Sequence, residues 1–159
     1  VMKNLKISSS ILSNQKNIYL LKMQEYEKTN HHIVICSANY LRLKKILKNF
    51  SKTKIELNRK EKKSRFKAKF LLKKLSKHTT DSILEFSNLD SSFLNVFNIE
   101  INIYHDVELA EVKSLNGFHP NKFPFQSENI PKSEDEKSQQ NRFLTEVLDT
   151  ILTGDFYEE

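Results

Sequence analysis

The sequence predicts an α+β fold, in which an antiparallel sheet of four or five strands is flanked by N-terminal helices and one C-terminal helix. Three observations lead to this class. Apolar and polar residues alternate along several segments in the middle of the chain, as in half-buried strands. Those segments follow one another directly, which favours an antiparallel meander with one covered face. An amphipathic pattern with a helix start signal follows near the C-terminus.

The N-terminal part is predicted to contain a loose arm and two helices. Residues 1–14 are polar and rich in serine, and a short helix is expected over residues 15–28. A second helix then begins, with Thr29 or Asn30 as its N-cap. Its core-facing residues recur at helical spacing. They are Cys36, Tyr40, Leu43, Leu47 and Phe50.

Three short strands are predicted ahead of the central strand. Alternation in the second of them places Phe66 and Phe70 on the inward face and basic residues on the outward face. Basic residues or a His-Thr-Thr-Asp sequence separate the strands, as expected of turns. The predicted strands are residues 53–57, 64–72 and 81–89, with turns at 59–63 and 78–81.

The central strand is predicted within residues 97–115. Ile99, Ile101 and Ile103 alternate with polar residues, which is typical of a half-buried strand. After His105-Asp106 the apolar pattern slips by one residue, as a β-bulge in a long strand would cause. A tight hairpin is the alternative, but the pair lacks the Asn-Gly or Gly-X sequence that such turns favour. We therefore expect the bulge.

The final helix is predicted by a capping box, because Ser133 is followed by Glu136 three residues later. Gly154 suits its C-terminal end. The segment before it, up to Pro131, is expected to be an irregular loop that packs on the body through its phenylalanines. The apolar face of the helix consists of Phe143, Leu144, Val147, Leu148, Ile151 and Leu152.

Composition excludes several classes of protein. The single cysteine, Cys36, allows no intrachain disulfide or cysteine-rich zinc site and indicates a reducing compartment. Its place on the helical stripe favours a small core residue over a nucleophile. Two glycines are too few for a phosphate loop or a dinucleotide fingerprint, and no apolar run exceeds four residues. We therefore predict a cytoplasmic protein without membrane attachment, cofactor or metal ion.

Positive charge is concentrated in one part of the chain. The net charge is +6, and 16 of the 26 Lys and Arg residues lie between residues 42 and 77, together with only Glu56 and Glu61 as acids. Of the 20 acidic residues, 16 follow residue 77. This asymmetry predicts either a basic face for a polyanion or two halves that neutralise each other.

The outward row of the second strand is the candidate binding surface. It consists of Arg65, Lys67, Lys69 and Lys73. Such a row can follow a phosphate backbone, although the aromatic residues that single-strand binders use for stacking lie on the inward side here. We favour a solvated face or one paired with Glu85 and Glu100 across the sheet. The alternatives are a protein partner with an acidic surface and a nucleic acid.

A series of polar and aromatic residues supports a family resemblance. They are Asn39, Tyr40, Tyr104, His105, Asp106, Glu111, Pro120, Asn121, Asp135, Glu136, Lys137, Gln139 and Asn141. In their order and spacing the chain resembles the YqiB-like family, a set of short uncharacterised proteobacterial proteins with a domain of unknown function. It departs from that family at Val147 and Ile151, where tryptophan and cysteine are common. The resemblance implies one domain over residues 30–154, with an arm and short helix at 1–29 and an acidic tail at 155–159, and it implies no activity.

The residues around the expected bulge are weak candidates for catalysis. His105, Asp106 and Glu111 could supply an acid/base or hard-metal site. Successive residues of a regular strand point to opposite faces, so we favour a structural role in which Asp106 shapes the bend and His105 packs. The pair His31-His32 is predicted to be solvated and not metal-binding.

These observations predict a non-enzymatic binding or regulatory protein that acts through a protein partner. One alternative is a nucleic-acid-binding or ribosome-associated protein that uses the basic segment 42–77. The other is a small metal-dependent or hydrolase-like enzyme around His105 and Glu111.

Overall fold

The computed structural model of the protein describes residues 2–60, 65–88, 96–116 and 136–159. The chain forms two compact units, Val1–Val34 and Ile35–Glu159. Helix α1 is Met2–Ile46, and helix α2 is Glu136–Thr153. The strands are β1 Lys54–Lys60, β2 Arg65–Lys74, β3 Thr79–Asn88, β4 Val96–Tyr104, β5 Leu109–Leu115 and β6 Phe156–Glu158.

Helix α1 corrects the prediction for the N-terminal part. The loose arm at 1–14 and the two separate helices are wrong, because one helix runs without interruption from Met2 to Ile46. Thr29 and Asn30 lie inside this helix and not at its N-terminus. The physical reason is that no glycine or proline occurs in the segment, and the serines and asparagines each weaken a helix by only fractions of a kcal/mol, about 0.5.

The strands form one antiparallel sheet in the order β5-β4-β3-β2-β1-β6. The α+β class and the antiparallel sheet are confirmed, but the sheet has six strands in the described part of the chain and not four or five. The additional strand, β6, comes from the segment predicted as an acidic tail. Three residues are too few to show an alternating pattern, so β6 left no signal in the sequence.

The core of the second unit lies between one face of the sheet and the two helices. Ile99, Ile101 and Ile103 are all buried, as their alternation predicted. Helix α1 contributes Leu43 and Leu47, and the core side of α2 includes Leu144, Leu148 and Ile151. Arg42 of α1 donates to the Asp149 carboxylate of α2 at 2.7 Å, which fixes one helix against the other at the rim of the core.

The chain between β4 and β5 is a hairpin, so the bulge expected at His105-Asp106 is wrong. Strand β4 ends at Tyr104, and β5 begins at Leu109 after a four-residue turn. Glu108 closes this turn in the left-handed conformation with φ of 53°, without the glycine that tight hairpin turns favour. A register shift does occur further along, where Glu100 faces Ser114 and Ile101 faces Val112.

Turn positions were otherwise predicted approximately. The β2–β3 turn lies at residues 75–78, where the Ser76 hydroxyl accepts bonds from the backbone N–H groups of His78 and Thr79. Strand β1 continues to Lys60 and so includes part of the predicted 59–63 turn. Helix α2 ends at Thr153, before Gly154, as predicted. Ser133 of the predicted capping box and the loop up to Pro131 lie outside the described residues.

Candidate functional site

A left-handed turn at the end of α1 forms one wall of the candidate site. Lys48, Asn49 and Phe50 have φ values of 48°, 60° and 58°. Each non-glycine residue in this conformation costs roughly 1–2 kcal/mol, so surrounding contacts must hold the turn in place. Two backbone hydrogen bonds help to hold it, one from the Asn49 N–H to the Lys44 carbonyl and one from the Phe50 N–H to the Leu47 carbonyl. The turn brings the Phe50 ring against the imidazole of His105, with 4.8 Å between ring centroids.

His105 joins α1 to the sheet, because each of its ring nitrogens lies within hydrogen-bond distance of a hydroxyl group. The Tyr40 hydroxyl lies 3.2 Å from Nδ1, and the Thr80 hydroxyl lies 2.9 Å from Nε2. Tyr40 and Thr80 are buried, and His105 is half-buried in the β4–β5 turn. The backbone N–H of His105 also donates to the carbonyl of His78, which connects this turn to the β2–β3 turn.

The protonation state of His105 decides how many hydroxyl hydrogens remain for another partner. A neutral imidazole has one donor and one acceptor nitrogen, so it takes a hydrogen from one hydroxyl and gives one to the other. One of the two hydroxyl groups then keeps its hydrogen for a further acceptor. A protonated imidazole donates from both nitrogens, so that both Tyr40 and Thr80 keep theirs. Protonation of His105 therefore adds a donor to the cavity that these hydroxyl groups line.

That cavity, the His105 pocket, has a volume of about 400 Å³. Lysines from four different places in the chain line it, together with hydroxyl and amide groups and four apolar or aromatic residues. Among the described residues, no Asp or Glu lines the pocket. The lining residues are Tyr40, Lys44, Asn49, Phe50, Ser51, Lys52, Thr53, Leu72, Lys74, Lys77, Thr80 and His105.

Burial shifts the pKa values of two aromatic groups in this pocket, His105 and Tyr40. Burial lowers the pKa of His105 below its usual 6.5, and the nearby positive charge of Lys74 lowers it further. Asp106 opposes this shift, and His78 adds to it. Burial also raises the pKa of Tyr40, and the negative charge of Glu108 raises it further, so its hydroxyl is protonated at neutral pH. Burial and the charge of Lys74 thus disfavour a positive charge on the His105 ring.

Lys52 is held in the pocket wall by the C-terminal strand. Its ammonium group and that of Lys48 both contact the carboxylate of Glu158 in β6. These two bonds lower the pKa of Glu158 to about 2. Glu158 therefore remains charged at every pH near neutrality and keeps Lys52 in place.

A second polar cluster surrounds Asn141 in α2, and Asn141 itself is fully buried. Its side-chain oxygen accepts the Val112 backbone N–H at 2.9 Å, and its amide donates to the Lys137 carbonyl at 2.8 Å. The amide of Asn39 donates to the Asn141 carbonyl at 3.1 Å. The cluster connects α1, α2 and β5, and its polar groups pair with one another, so its role is structural.

The comparison with protein families matches residues 42–155 to a model described as "Protein of unknown function (DUF1249)". The chain belongs to this family. No curated protein and no solved structure matches the chain. The DUF1249 region contains most of the residues that line the His105 pocket, from Lys44 to His105, whereas Tyr40 precedes it.

The outward lysines of β2, predicted as a binding surface, lie within the DUF1249 region on the sheet face opposite the core. Lys67 contacts Glu56 at 3.3 Å, and Lys69 contacts Glu85 at 3.4 Å, so the predicted pairing with Glu85 is present. Lys73 is exposed and lies opposite Asp81 in the sheet register. The side chain of Arg65 lies outside the described residues.

The weak catalytic candidates of the DUF1249 region are not brought together. Glu111 forms an ion pair with Lys137, while His105 contacts Tyr40 and Thr80. Asp106 is exposed, and among the described residues its carboxylate has no hydrogen-bond partner, so it does not shape the turn as predicted. Within the same described ranges, no group of three or more His, Cys, Asp or Glu side chains is placed to hold a metal ion.

The remaining predicted residues have structural positions. Cys36 is buried with its thiol 3.9 Å from the Asn141 side-chain oxygen, and burial followed by the charge of Glu111 raises its pKa to about 12. His31 is exposed and His32 half-exposed on α1. Glu136 and Gln139 lie in the first turns of α2, and Tyr104 is half-buried at the end of β4. Pro120, Asn121 and Asp135 lie outside the described residues.

The pocket lysines were not identified as a group from the sequence. Lys74 carried a usable signal, because alternation along β2 places it on the same side as Phe70 and Leu72 and opposite Lys73. Lys44 and Lys77 carried none, since their meeting point depends on the left-handed turn after α1 and on the position of the β2–β3 turn.

No helix in the described part of the chain is long and apolar enough to cross a membrane.

Proposed function

We propose that this protein is a non-enzymatic binding protein whose ligand is a small anion held in the His105 pocket. The observation that carries the proposal is the composition of the pocket wall. Four lysines line one cavity, and no described residue that lines it is acidic. A cleft lined by one sign of charge concentrates ligands of the opposite sign.

The pocket lysines differ from the lysines of the outer sheet face in their partners. Among the described residues, Lys44, Lys74 and Lys77 have no ion pair, whereas Lys67 and Lys69 are each matched with a glutamate. Within the described ranges, three positive charges around one cavity therefore have no ion-pair partner. A bound anion would supply the compensating charge.

The surroundings of His105 favour binding over catalysis. A nucleophile and base pair is oriented in hydrolases by a third group, usually a carboxylate that stabilises the imidazolium. Here the third group at the ring is the neutral phenol of Tyr40, and the candidate nucleophile Thr80 is only 6% exposed. The arrangement holds hydroxyl donors at the cavity and leaves little access for attack on a substrate.

Two neighbouring lysines of β2 provide a matched test. Lys74 lines the pocket, and Lys73 lies on the opposite face of the same strand, and both are exposed. We expect Lys74→Gln to weaken the binding of tripolyphosphate, measured by isothermal titration calorimetry, by roughly tenfold, since one close charge pair at a surface is worth on the order of 1 kcal/mol or more. Lys73→Gln should change the affinity by less than about twofold, as expected of an exposed charge outside the site. Equal losses of affinity in both variants, or a loss in Lys73→Gln alone, would contradict the pocket and indicate a site on the outer face of the sheet. A wild-type protein that does not bind tripolyphosphate would refute the proposal.

We also infer that the chain is a YqiB-like, proteobacterial member of its family and acts in the cytoplasm. The family resemblance noted in the sequence supports the first part. The single cysteine supports the second part, because a chain with one cysteine forms no intrachain disulfide, as is usual for proteins of a reducing compartment. Fractionation of the source cells with an antibody against the protein tests the location, and recovery outside the cytoplasmic fraction would contradict it.

A further inference from the structure

The charge of the His105 pocket indicates the charge of its ligand. Lys44, Lys74 and Lys77 line the pocket without an ion pair among the described residues, and the fourth lysine, Lys52, is shared with Glu158. A monoanion would leave most of this charge uncompensated. A ligand group with two negative charges on one centre fits the excess better.

The kinds of donor that line the pocket, and the elements that supply them, indicate the geometry of the anion. The pocket is lined by hydroxyl residues from two parts of the chain, Ser51 and Thr53 after α1 and Thr80 in β3. Its lysines come from α1, the segment after α1, β2 and the β2–β3 turn. No arginine lines it among the described residues, so the planar fork that matches a carboxylate is missing there. Donors supplied by several different elements suit a tetrahedral oxyanion, which has acceptor oxygens on every side.

The size and the apolar part of the pocket suit an anion that carries an organic group. Cavities of about 300–1,000 Å³ hold small organic ligands, which are much larger than an inorganic phosphate. The His105 pocket, at about 400 Å³, lies in this range. Phe50 and Leu72 add apolar surface to its lining. The remaining space can therefore accommodate a compact carbon skeleton beside the charged group.

We propose that the ligand of the His105 pocket is a small phosphate monoester, with its phosphate held by the lysines and hydroxyl groups and its organic part against Phe50 and Leu72. This inference rests on the proposed function and adds the chemical class of the ligand. A phosphate monoester carries nearly two negative charges at neutral pH, because its second pKa is about 6. It provides the charge, the oxygen geometry and the organic group in one molecule.

Three probes of graded chemistry test this class on the full-length protein. Phenyl phosphate has the dianionic group and a ring, phenyl sulfate has the same shape with one charge less, and inorganic phosphate lacks the ring. We expect calorimetry at pH 7.5 to show phenyl phosphate binding roughly tenfold more tightly than either of the others, because each of them lacks one of the two matching features. In Lys74→Gln the preference over phenyl sulfate should shrink, and in Lys73→Gln it should persist.

The outcomes separate this inference from the proposed function. Equal affinities for phenyl phosphate and phenyl sulfate would refute the inference that the ligand carries two negative charges. Equal affinities for phenyl phosphate and inorganic phosphate would refute the inference that it carries an organic group. In both cases anion binding itself would stand. Tighter binding of a 5′-phosphorylated RNA oligonucleotide than of phenyl phosphate would show that the site takes the end of a polymer and would overturn the small-ligand assignment. If none of the probes binds and tripolyphosphate also fails, the proposed function falls with the inference.

Discussion

The hydroxyl oxygen of Tyr40 lies 3.2 Å from Nδ1 of His105, which links helix α1 to the turn between β4 and β5. The two rings also meet edge to face, with 5.9 Å between their centroids. The contact places a buried phenol of the helix and a titratable ring of the sheet on one wall of the basic cavity. The fold and the proposed binding site therefore involve the same pair of residues.

Removing the Tyr40 hydroxyl should affect both stability and binding. Tyr40→Phe keeps the ring against Phe50 but leaves Nδ1 of His105 without this partner. We expect the free energy of unfolding to fall by about 0.5–1.5 kcal/mol, the usual net value of one hydrogen bond, and tripolyphosphate to bind more weakly. Urea unfolding and calorimetry measure the two effects. Tyr157→Phe, at an exposed position of β6, is the control and should change neither; a Tyr40→Phe protein with unaltered stability would contradict the hydrogen bond.

The sequence predicted the sheet and core well because those features follow local periodicity. Ile99, Ile101 and Ile103 alternate as a strand requires, and Leu144 and Leu148 recur at helical spacing, so each pattern identified its own buried face. The His105 pocket could not be found in this way. It needs Tyr40, Thr80 and His105 to meet, and no local pattern reports a contact between residues so far apart in the chain.

Backbone conformation was the other feature that local patterns did not reveal. Phe50 and Glu108 adopt positive φ angles that usually require glycine, so the left-handed turn after α1 and the β4–β5 hairpin had no sequence signal. Strand β6 was missed because its three residues have a partner, β1, only in the folded chain. In each case tertiary contacts decide the local structure.

The lowered pKa of His105 predicts a loss of stability in mild acid. Because its folded-state pKa lies below the usual 6.5, the unfolded chain takes up a proton first as the pH falls through 6.5. The stability contributed by the neutral ring is thus complete above that pH and decreases below it. Urea unfolding of the unliganded protein at pH 8 and pH 5.5 measures this change.

His105→Gln is the matched variant for this test, since an amide can still donate to one hydroxyl and accept from the other. We expect it to lose part of the difference in unfolding free energy between the two pH values. The other histidines contribute equally to both proteins and cancel in the comparison. An identical pH dependence in the variant and the wild type would show that His105 titrates normally in the folded state.

The packing of α2 on the sheet makes Leu148 a sensitive core position. Leu148 is completely buried in the core cluster. Leu148→Ala should lower the free energy of unfolding by about 2–5 kcal/mol because it leaves a cavity. Leu41→Ala, at an exposed position of α1, is the control and should cost much less. A thermal or urea transition of Leu148→Ala that matches the control would mean that α2 does not cover the sheet.

The buried Asn141 cluster predicts a comparable penalty of polar origin. Asn141→Ala removes the acceptor of the buried Val112 N–H, and an unpaired buried donor costs about 1–3 kcal/mol. Gln139→Ala on the exposed side of the same helix should leave urea unfolding nearly unchanged. If the two variants unfold at the same urea concentration, the cluster does not hold α2 on β5.

An NMR titration of the His105 ring with and without tripolyphosphate measures the coupling between this residue and the bound anion. Assignment of the His105 signal follows from its absence in His105→Gln. An anion in the pocket stabilises the protonated ring, so the pKa of His105 should rise when the probe is bound, and the rise should be smaller in a protein carrying both Lys74→Gln and Lys77→Gln. A pKa of His105 that stays the same at saturating probe would show that the anion binds elsewhere and would contradict the assignment of this pocket.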